Sequence, residues 1–246
     1  MALAEEFEKA GNRFFRWRSY LPLVMAGLFL LALLDYRGRG TGGTPAGWWE
    51  FFCLAVSLAG LGMRFFTVGF VPAGTSGRNT RGQVAATLNT TGMYSVVRNP
   101  IYLGNAVIWL GLSLVLQSWW LTTIVLLFFV LFYERIIFAE ERFLREKFGD
   151  EFLAWAGQTP IILPRWRQWQ GAALSFSWKS AINREYSTFF AIIASFTVLQ
   201  FLRELIAARQ IMVNGLWLTI FLASAVIYVG IRLLKKKTKI LATTGR

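Results

Sequence analysis

Apolar and polar positions along this chain come in blocks rather than alternating residue by residue. Nearly uncharged apolar runs cover residues 20–34, 48–70, 101–116, 119–133, 186–202 and 216–234. Runs of roughly 17–25 apolar residues read as membrane-crossing helices. The pattern therefore predicts an all-α polytopic membrane protein of about six transmembrane helices, residues 1–246 forming one membrane domain. Only Gln117-Ser118 separates the third run from the fourth, with tryptophans alongside. That spacing predicts a tight helical hairpin over 101–133, with one continuous bent helix as the alternative because each arm is short for a full span.

The polar blocks divide into three kinds. Glu5 to Arg18 mixes acids, aromatics and arginines, the composition of an amphipathic helix lying at the membrane interface. Asp35 to Gly47 is a Gly-rich turn. Val71 to Val97 is a polar loop holding Gly74-Thr75-Ser76-Gly77-Arg78-Asn79-Thr80-Arg81-Gly82. Residues 134–185 form a long charged segment, helical from Glu134 to Phe148, broken at Gly149 and then rich in Pro and Trp. A further helix pair over 186–234 ends in Lys235-Lys236-Lys237.

Composition sharpens this picture. Hydrophobic residues make up 55% of the chain, too many for a soluble domain of this length to solvate with its charges. No basic leader with a short apolar core and a small-residue cleavage site opens the sequence, so no cleaved signal peptide is expected. The net charge of +13 invites a nucleic-acid reading. The basic residues sit at the ends of apolar runs, however, where they set topology and meet anionic headgroups, and nucleic acid is rejected as a partner. With six spans, Arg37, Arg39, Arg203 and Arg209 fall on one side and the other 22 of the 26 Lys and Arg residues on the opposite side. The positive-inside rule then places both termini, the 71–98 loop and the 134–185 segment in the cytosol. One cysteine, Cys53, and no histidine leave neither an intrachain disulfide nor a zinc site to build. No metal is expected, and any mechanism must work without imidazole.

Chemistry concentrates around the hairpin. Before it stands Gly92-Met93-Tyr94-Ser95-Val96-Val97-Arg98-Asn99-Pro100-Ile101-Tyr102-Leu103-Gly104-Asn105. Pro100 suits a first helical turn and Asn99 an N-cap. A helix N-terminus can hold an anion such as a carboxylate, and Gly104 lets a ligand approach the backbone closely. The plain alternative is that Arg98 snorkels, Asn99 caps and Tyr102 anchors. After the hairpin come Tyr133-Glu134-Arg135, Ala139-Glu140-Glu141-Arg142 and Arg145-Glu146-Lys147-Phe148-Gly149-Asp150-Glu151-Phe152. A hairpin brings its two ends together. Arg98, Asn99 and Tyr102 should therefore meet Arg135, Glu140 and Glu141 at the cytosolic membrane edge, where ionisable groups are functional candidates. Arg142 to Glu151 read instead as a solvated helix laced by pairs four residues apart.

These two motifs, the hairpin between them and Gln158-Thr159-Pro160-Ile161-Ile162-Leu163-Pro164-Arg165 together resemble the isoprenylcysteine carboxyl methyltransferase and phospholipid methyltransferase group, over residues 92–165 with weaker likeness back to Arg64. That group carries G-x-Y-x-x-x-R-H-P-x-Y-x-G before its hairpin. This chain departs from the pattern at the histidine, which is Asn99 and cannot shuttle a proton. The resemblance implies a catalytic core at 92–165 and S-adenosyl-L-methionine at the cytosolic end of the hairpin. Its contacts would be Tyr94, Asn99, Pro100, Tyr102, Gly104, Glu140 and Glu141, with Arg135, Glu141 and Arg98 as the catalytic set. Arg135 matches the arginine that holds the acceptor.

An anionic acceptor needs no general base, which suits a site with arginines and no histidine. Arg78 and Arg81, in a loop rich in Gly, Ser and Thr, suit a phosphate, the alternative being a simple connector. With Arg64 and Arg135 they form the expected substrate set. The Thr-Ser-Gly-Arg-Asn-Thr string and the extra helix pair resemble the bacterial lipid A phosphate methyltransferase branch, which implies a bacterial inner membrane and a lipidic acceptor entering sideways from the bilayer. Two other readings stand beside this one. The first is an NADPH-dependent reductase of the related sterol-reductase type, and the second is a non-enzymatic membrane scaffold.

Overall fold

The computed structural model describes residues 2–38, 47–72, 75, 83–208, 214–238, 240–241 and 243. Among them are nine α-helices and no strand. In chain order these are α1 (Leu3–Trp17), α2 (Leu21–Gly38), α3 (Gly47–Phe70), α4 (Met93–Val96), α5 (Pro100–Leu114), α6 (Trp119–Phe148), α7 (Asp150–Gln158), α8 (Trp178–Ala208) and α9 (Gly215–Lys237). Five helical stretches are long and apolar enough to cross a membrane: Leu3–Asp35, Gly47–Phe70, Trp119–Phe148, Trp178–Ile206 and Gly215–Lys237. The sixth, α5, is apolar but shorter. This is an all-α polytopic membrane architecture.

The hairpin is two helices rather than one bent rod. Gln117 takes a positive φ of 50°, and its N–H donates to the Leu114 carbonyl at 3.0 Å, which reverses the chain before α6 begins. Once started, α6 runs without a break past the apolar run to Phe148, so the charged motif rides on the end of a spanning helix.

Lipid offers no hydrophobic drive between apolar helices, so close backbone approach and internal polar contacts decide the packing. At the α3–α5 crossing, Gly60 meets Gly104. A Cβ on Gly60 would lie 2.5 Å from the Gly104 carbonyl oxygen and 2.8 Å from the Ile108 nitrogen. One turn along, the Ser57 hydroxyl donates to the Ile108 carbonyl at 2.9 Å. Against the other side of the hairpin, α1 lies along the charged half of α6. Phe14 stacks on Phe132 with centroids 4.9 Å apart, and Gly11 sits against the Arg135 carbonyl and the Ala139 methyl. The aromatic face of α1 thus covers protein, packing on α6.

The C-terminal pair is joined to α3 by charge. Near the start of α3, buried Glu50 pairs with buried Arg203 of α8 and accepts the Trp217 indole N–H of α9 at 3.0 Å. Near the other end of α3, Arg64 pairs with Glu185 of α8. The crossed order of these partners makes α3 and α8 antiparallel. Glu185 lies in the segment that the hydropathy pattern assigned to the charged block. Helix α8 begins eight residues ahead of the fifth apolar run because Trp178 and Phe176 pack on Phe65 and carry the chain onto α3.

Gly60→Ala should destabilise the protein by about 1–3 kcal/mol, since the new methyl has only backbone to push against. Gly62→Ala, where nothing lies within 4 Å, should be neutral or gain up to about 1 kcal/mol of helix propensity. Thermal unfolding in detergent compares the two, and equal losses would mean that the crossing tolerates expansion.

Candidate functional site

The local backbone explains how the pre-hairpin motif is held. Gly92, with φ of +61°, turns the chain into the single-turn helix α4, whose Met93 and Val96 are buried with Val97. The chain then enters α5 beside the Pro-containing loop. The Arg98 N–H donates to the Pro160 carbonyl at 2.8 Å, the Arg165 N–H to the Val96 carbonyl at 3.0 Å, and the Gly92 N–H to the Gln170 carbonyl at 3.1 Å. The Trp155 indole donates to the Tyr94 carbonyl at 3.0 Å. Motif and loop, separate in sequence, form one rim.

On that rim Asn99 stands at the N-cap position of α5, and Pro100 is buried in the first turn. The Asn99 side chain does not cap. It donates to the Ile161 carbonyl at 3.2 Å, leaving the first-turn N–H groups of α5 without a side-chain partner from that residue.

Facing the rim, α6 presents the two glutamates. The Tyr102 hydroxyl donates to a Glu140 carboxylate oxygen at 2.6 Å, and an Arg98 guanidinium nitrogen donates to Glu141 Oε2 at 3.0 Å. The juxtaposition expected across the hairpin is thus made by these four residues. Two atoms within it are buried without a partner, Arg98 Nε and Glu141 Oε1. One is a donor and the other an acceptor, and together they could hold a ligand that carries both an anionic group and an N–H or O–H donor. The Tyr94 phenol lies within electrostatic reach of Glu140. Burial holds it above its ordinary pKa, the Glu140 charge adds to that, and Arg184 of α8 opposes it.

A second polar network lies deeper. Arg64 reaches Glu185 through two nitrogens, at 2.9 Å and 2.7 Å, and its third nitrogen donates to the Asn105 side-chain oxygen. The Asn105 amide donates to the Tyr133 hydroxyl at 3.1 Å. The Tyr133 ring packs on Tyr102 with centroids 4.5 Å apart. Gly104 serves this arrangement: a Cβ there would lie 2.6 Å from Arg64 Cγ, so the glycine face is filled by Arg64 and Gly60.

Arg135 points elsewhere. Its guanidinium carbon lies 3.2 Å from the centroid of the Phe7 ring of α1. At about 100° per residue, Arg135 and Glu140 stand about 140° apart around α6. Further along the charged helix, a bridge of the expected four-residue spacing joins Arg142 to Glu146 at 3.2 Å, and Arg142 also binds Glu8 of α1 at 2.6 Å, a contact that the spacing did not predict. Arg78 and Arg81 lie outside the described residues. Pattern reading missed Glu185 and assigned no role to Asn105 or Tyr133. Asn105 did carry a signal, as an amide inside an apolar helix one turn from Tyr102.

At the turn end of the hairpin, away from these charges, a concavity of about 320 Å³ is lined by Trp48, Trp49, Leu114, Gln117, Ser118, Trp119 and Thr122. No ionisable side chain lines it.

Two curated bacterial proteins resemble the chain. The cobalt-zinc-cadmium resistance protein CzcN of Cupriavidus metallidurans is 33% identical over 157 residues, covering 63% of this chain and 65% of the relative. The nickel-cobalt-cadmium resistance protein NccN of Alcaligenes xylosoxydans xylosoxydans is 32% identical over 142 residues, covering 58% of this chain and 62% of the relative. The chain thus spans less than two thirds of the length of either. No solved structure gives a significant match. The phospholipid methyltransferase family model matches residues 52–151, a stretch that contains Arg64, the Gly92–Asn105 motif, the hairpin and the Glu140–Glu141 pair. Residues 52–151 of this multi-helix membrane protein are thus similar to the phospholipid methyltransferase family.

Proposed function

We propose that this protein is an S-adenosyl-L-methionine-dependent O-methyltransferase acting on a phosphate or carboxylate of a lipidic substrate at the cytosolic face of the membrane. The observation that carries this reading is the four-residue junction of Arg98 with Glu141 and Tyr102 with Glu140, with one donor and one acceptor buried and unpartnered.

Those residues fit the cofactor. Arg98 Nε and the first-turn N–H groups of α5 suit its carboxylate. Glu141 Oε1 suits its ammonium or a ribose hydroxyl, and Tyr94, Asn99 and Pro100 complete the rim. Tyr102 and Gly104 support the site from behind, Tyr102 by fixing Glu140 and Gly104 by admitting Arg64. Bound there, S-adenosylmethionine supplies a methyl group on a sulfonium, which leaves with the carbon–sulfur electron pair returning to sulfur. An anionic oxygen attacks without losing a proton, so the residues have to position the partners and exclude water rather than act as a base.

For the acceptor, Arg135 is proposed to exchange the Phe7 ring for the substrate anion. A partly exposed cation–π contact is worth about 0.5–1 kcal/mol, less than a charge-assisted hydrogen bond, so the exchange is downhill. Arg78 and Arg81 remain proposed phosphate contacts. The relatives' names accord with an anionic acceptor. A phosphate headgroup binds divalent cations through its charged oxygens, and methylation removes one such charge. Both termini are proposed to be cytosolic, on the strength of the 22-to-4 division of positive charge.

Isothermal calorimetry on detergent-purified protein should detect S-adenosylhomocysteine and not NADPH. Tight NADPH binding with no response to S-adenosylhomocysteine would transfer the assignment to a reductase, and silence from both would favour a scaffold. In the same assay Glu141→Gln should weaken S-adenosylhomocysteine about ten- to hundredfold, the worth of a charged hydrogen bond of roughly 1.5–3 kcal/mol. Glu146→Gln, on the exposed bridge to Arg142, should change nothing. Equal small effects would mean that the Glu pair is merely solvated. Orientation is tested by single cysteines at Gln117 and Lys236 in a Cys53→Ala background, which should label from opposite sides of the membrane. Labelling from one side would refute the six-span topology.

A further inference from the structure

We infer that Glu185 of α8, outside the matched family segment, is a positioning residue for the cofactor site, acting through Arg64, Asn105 and Tyr133 on Tyr102 and Glu140. This rests on the methyltransferase reading and adds to it a component supplied by the C-terminal helix pair.

The argument begins with burial. Glu185 is 3% exposed in a helix that crosses the membrane, and a carboxylate there stands only with a full set of partners. Arg64 supplies them in fork geometry, with Nε and one terminal nitrogen on the two carboxylate oxygens at 2.9 Å and 2.7 Å. That grip fixes the plane of the guanidinium, which leaves the remaining terminal nitrogen a single direction, toward the Asn105 oxygen. Asn105 accepts from Arg64 with its oxygen and so must present its amide nitrogen to Tyr133, which it does at 3.1 Å. The orientation of the amide is set by its partners on both sides. Tyr133 then holds Tyr102 by ring contact at 4.5 Å, and Tyr102 bonds Glu140 at 2.6 Å. Each link is buried or half-buried, and each side chain has its rotamer chosen by the previous one. The chain of contacts passes from α8 to α3, α5 and α6 and ends on the carboxylate next to Glu141.

The same geometry reassigns Arg64. All three of its nitrogens are engaged, so it orients the site rather than gripping a substrate anion. Glutamine at 185 keeps the volume but can accept from only one side of the fork, and aspartate keeps the charge but falls one methylene short. Both release the guanidinium plane, and the release travels to Tyr102.

The test is S-adenosylhomocysteine affinity, measured by calorimetry per mole of folded protein, with folded fraction and melting temperature recorded in parallel. Glu185→Gln should weaken binding about tenfold, with Glu185→Asp intermediate. Glu204→Gln, on the same helix but outside the relay, should match wild type. Should Glu185→Gln fail to fold, Asn105→Ala cuts the relay beyond the ion pair, and the same loss is expected there. Wild-type affinity in folded Glu185→Gln or Asn105→Ala, with only the melting temperature lowered, would overturn the inference and leave the network as packing. Wild-type protein that binds no S-adenosylhomocysteine at all would instead overturn the methyltransferase reading beneath it.

Discussion

Two ion pairs, one near each end of α3, fix where everything else in this protein can stand. Glu50 meets Arg203 and Arg64 meets Glu185, so both charges of an otherwise apolar helix find their counterions on the same partner, α8. In lipid these groups have few alternatives, and removing one partner of a buried pair typically costs about 3–5 kcal/mol because the other is left charged and unpaired. Pinning at two points separated by about 20 Å of helix removes both sliding and rotation. The apolar surface of α8, which would pack on any neighbour equally well, is thereby given one register.

That register matters because α3 is also the helix that α5 crosses most closely. Gly60 and Gly104 bring the two backbones together, and the space left by the missing Cβ of Gly104 is where the Arg64 side chain passes. A single guanidinium therefore lies at the meeting of three helices. The paired glutamates of α6 are one tyrosine pair further on. At the charged end of the hairpin the outcome is a graded environment. Arg64 and Arg98 are equally exposed, but the partner of Arg64, Glu185, is the more deeply buried glutamate, and every nitrogen of Arg64 is engaged, whereas Arg98 and Glu141 each keep one bonding position unused. In the function proposed here, that difference in saturation, not residue type, separates a structural charge from a ligand-binding one.

Much of this was legible in the sequence. The lengths of the apolar runs and the Gln117-Ser118 break were enough to find the helices and the hairpin, because lipid forbids unpaired backbone and leaves few ways to fold such runs. The hairpin likewise implied that residues before Pro100 meet residues after Tyr133, which is how Arg98 and Tyr102 come to face Glu141 and Glu140. What periodicity does not reveal is which face a long helix turns to which neighbour. Arg135 and Glu140 are five residues apart on one helix and share a motif, yet α1 claims the first and α5 the second. Gly104 could equally have admitted a ligand, and only the depth of the α3 crossing shows that it admits Arg64. Glu185 was hidden for another reason. It sits at the boundary between a charged block and an apolar run, where a solvated carboxylate would look the same.

The ion pairs also set a timetable for biosynthesis. Arg64 and Glu185 are 121 residues apart in the chain, and Glu50 and Arg203 are 153 apart. At about 5–20 residues per second, α3 waits roughly 6–30 s after leaving the ribosome before α8 arrives with its counterions. During that interval its two charges must be tolerated by headgroups, water or the insertion machinery, which their placement near the helix ends permits. A chain interrupted before α8 would carry both of them without their final partners, and so would display the polar signature by which a membrane distinguishes an orphaned helix from a finished protein.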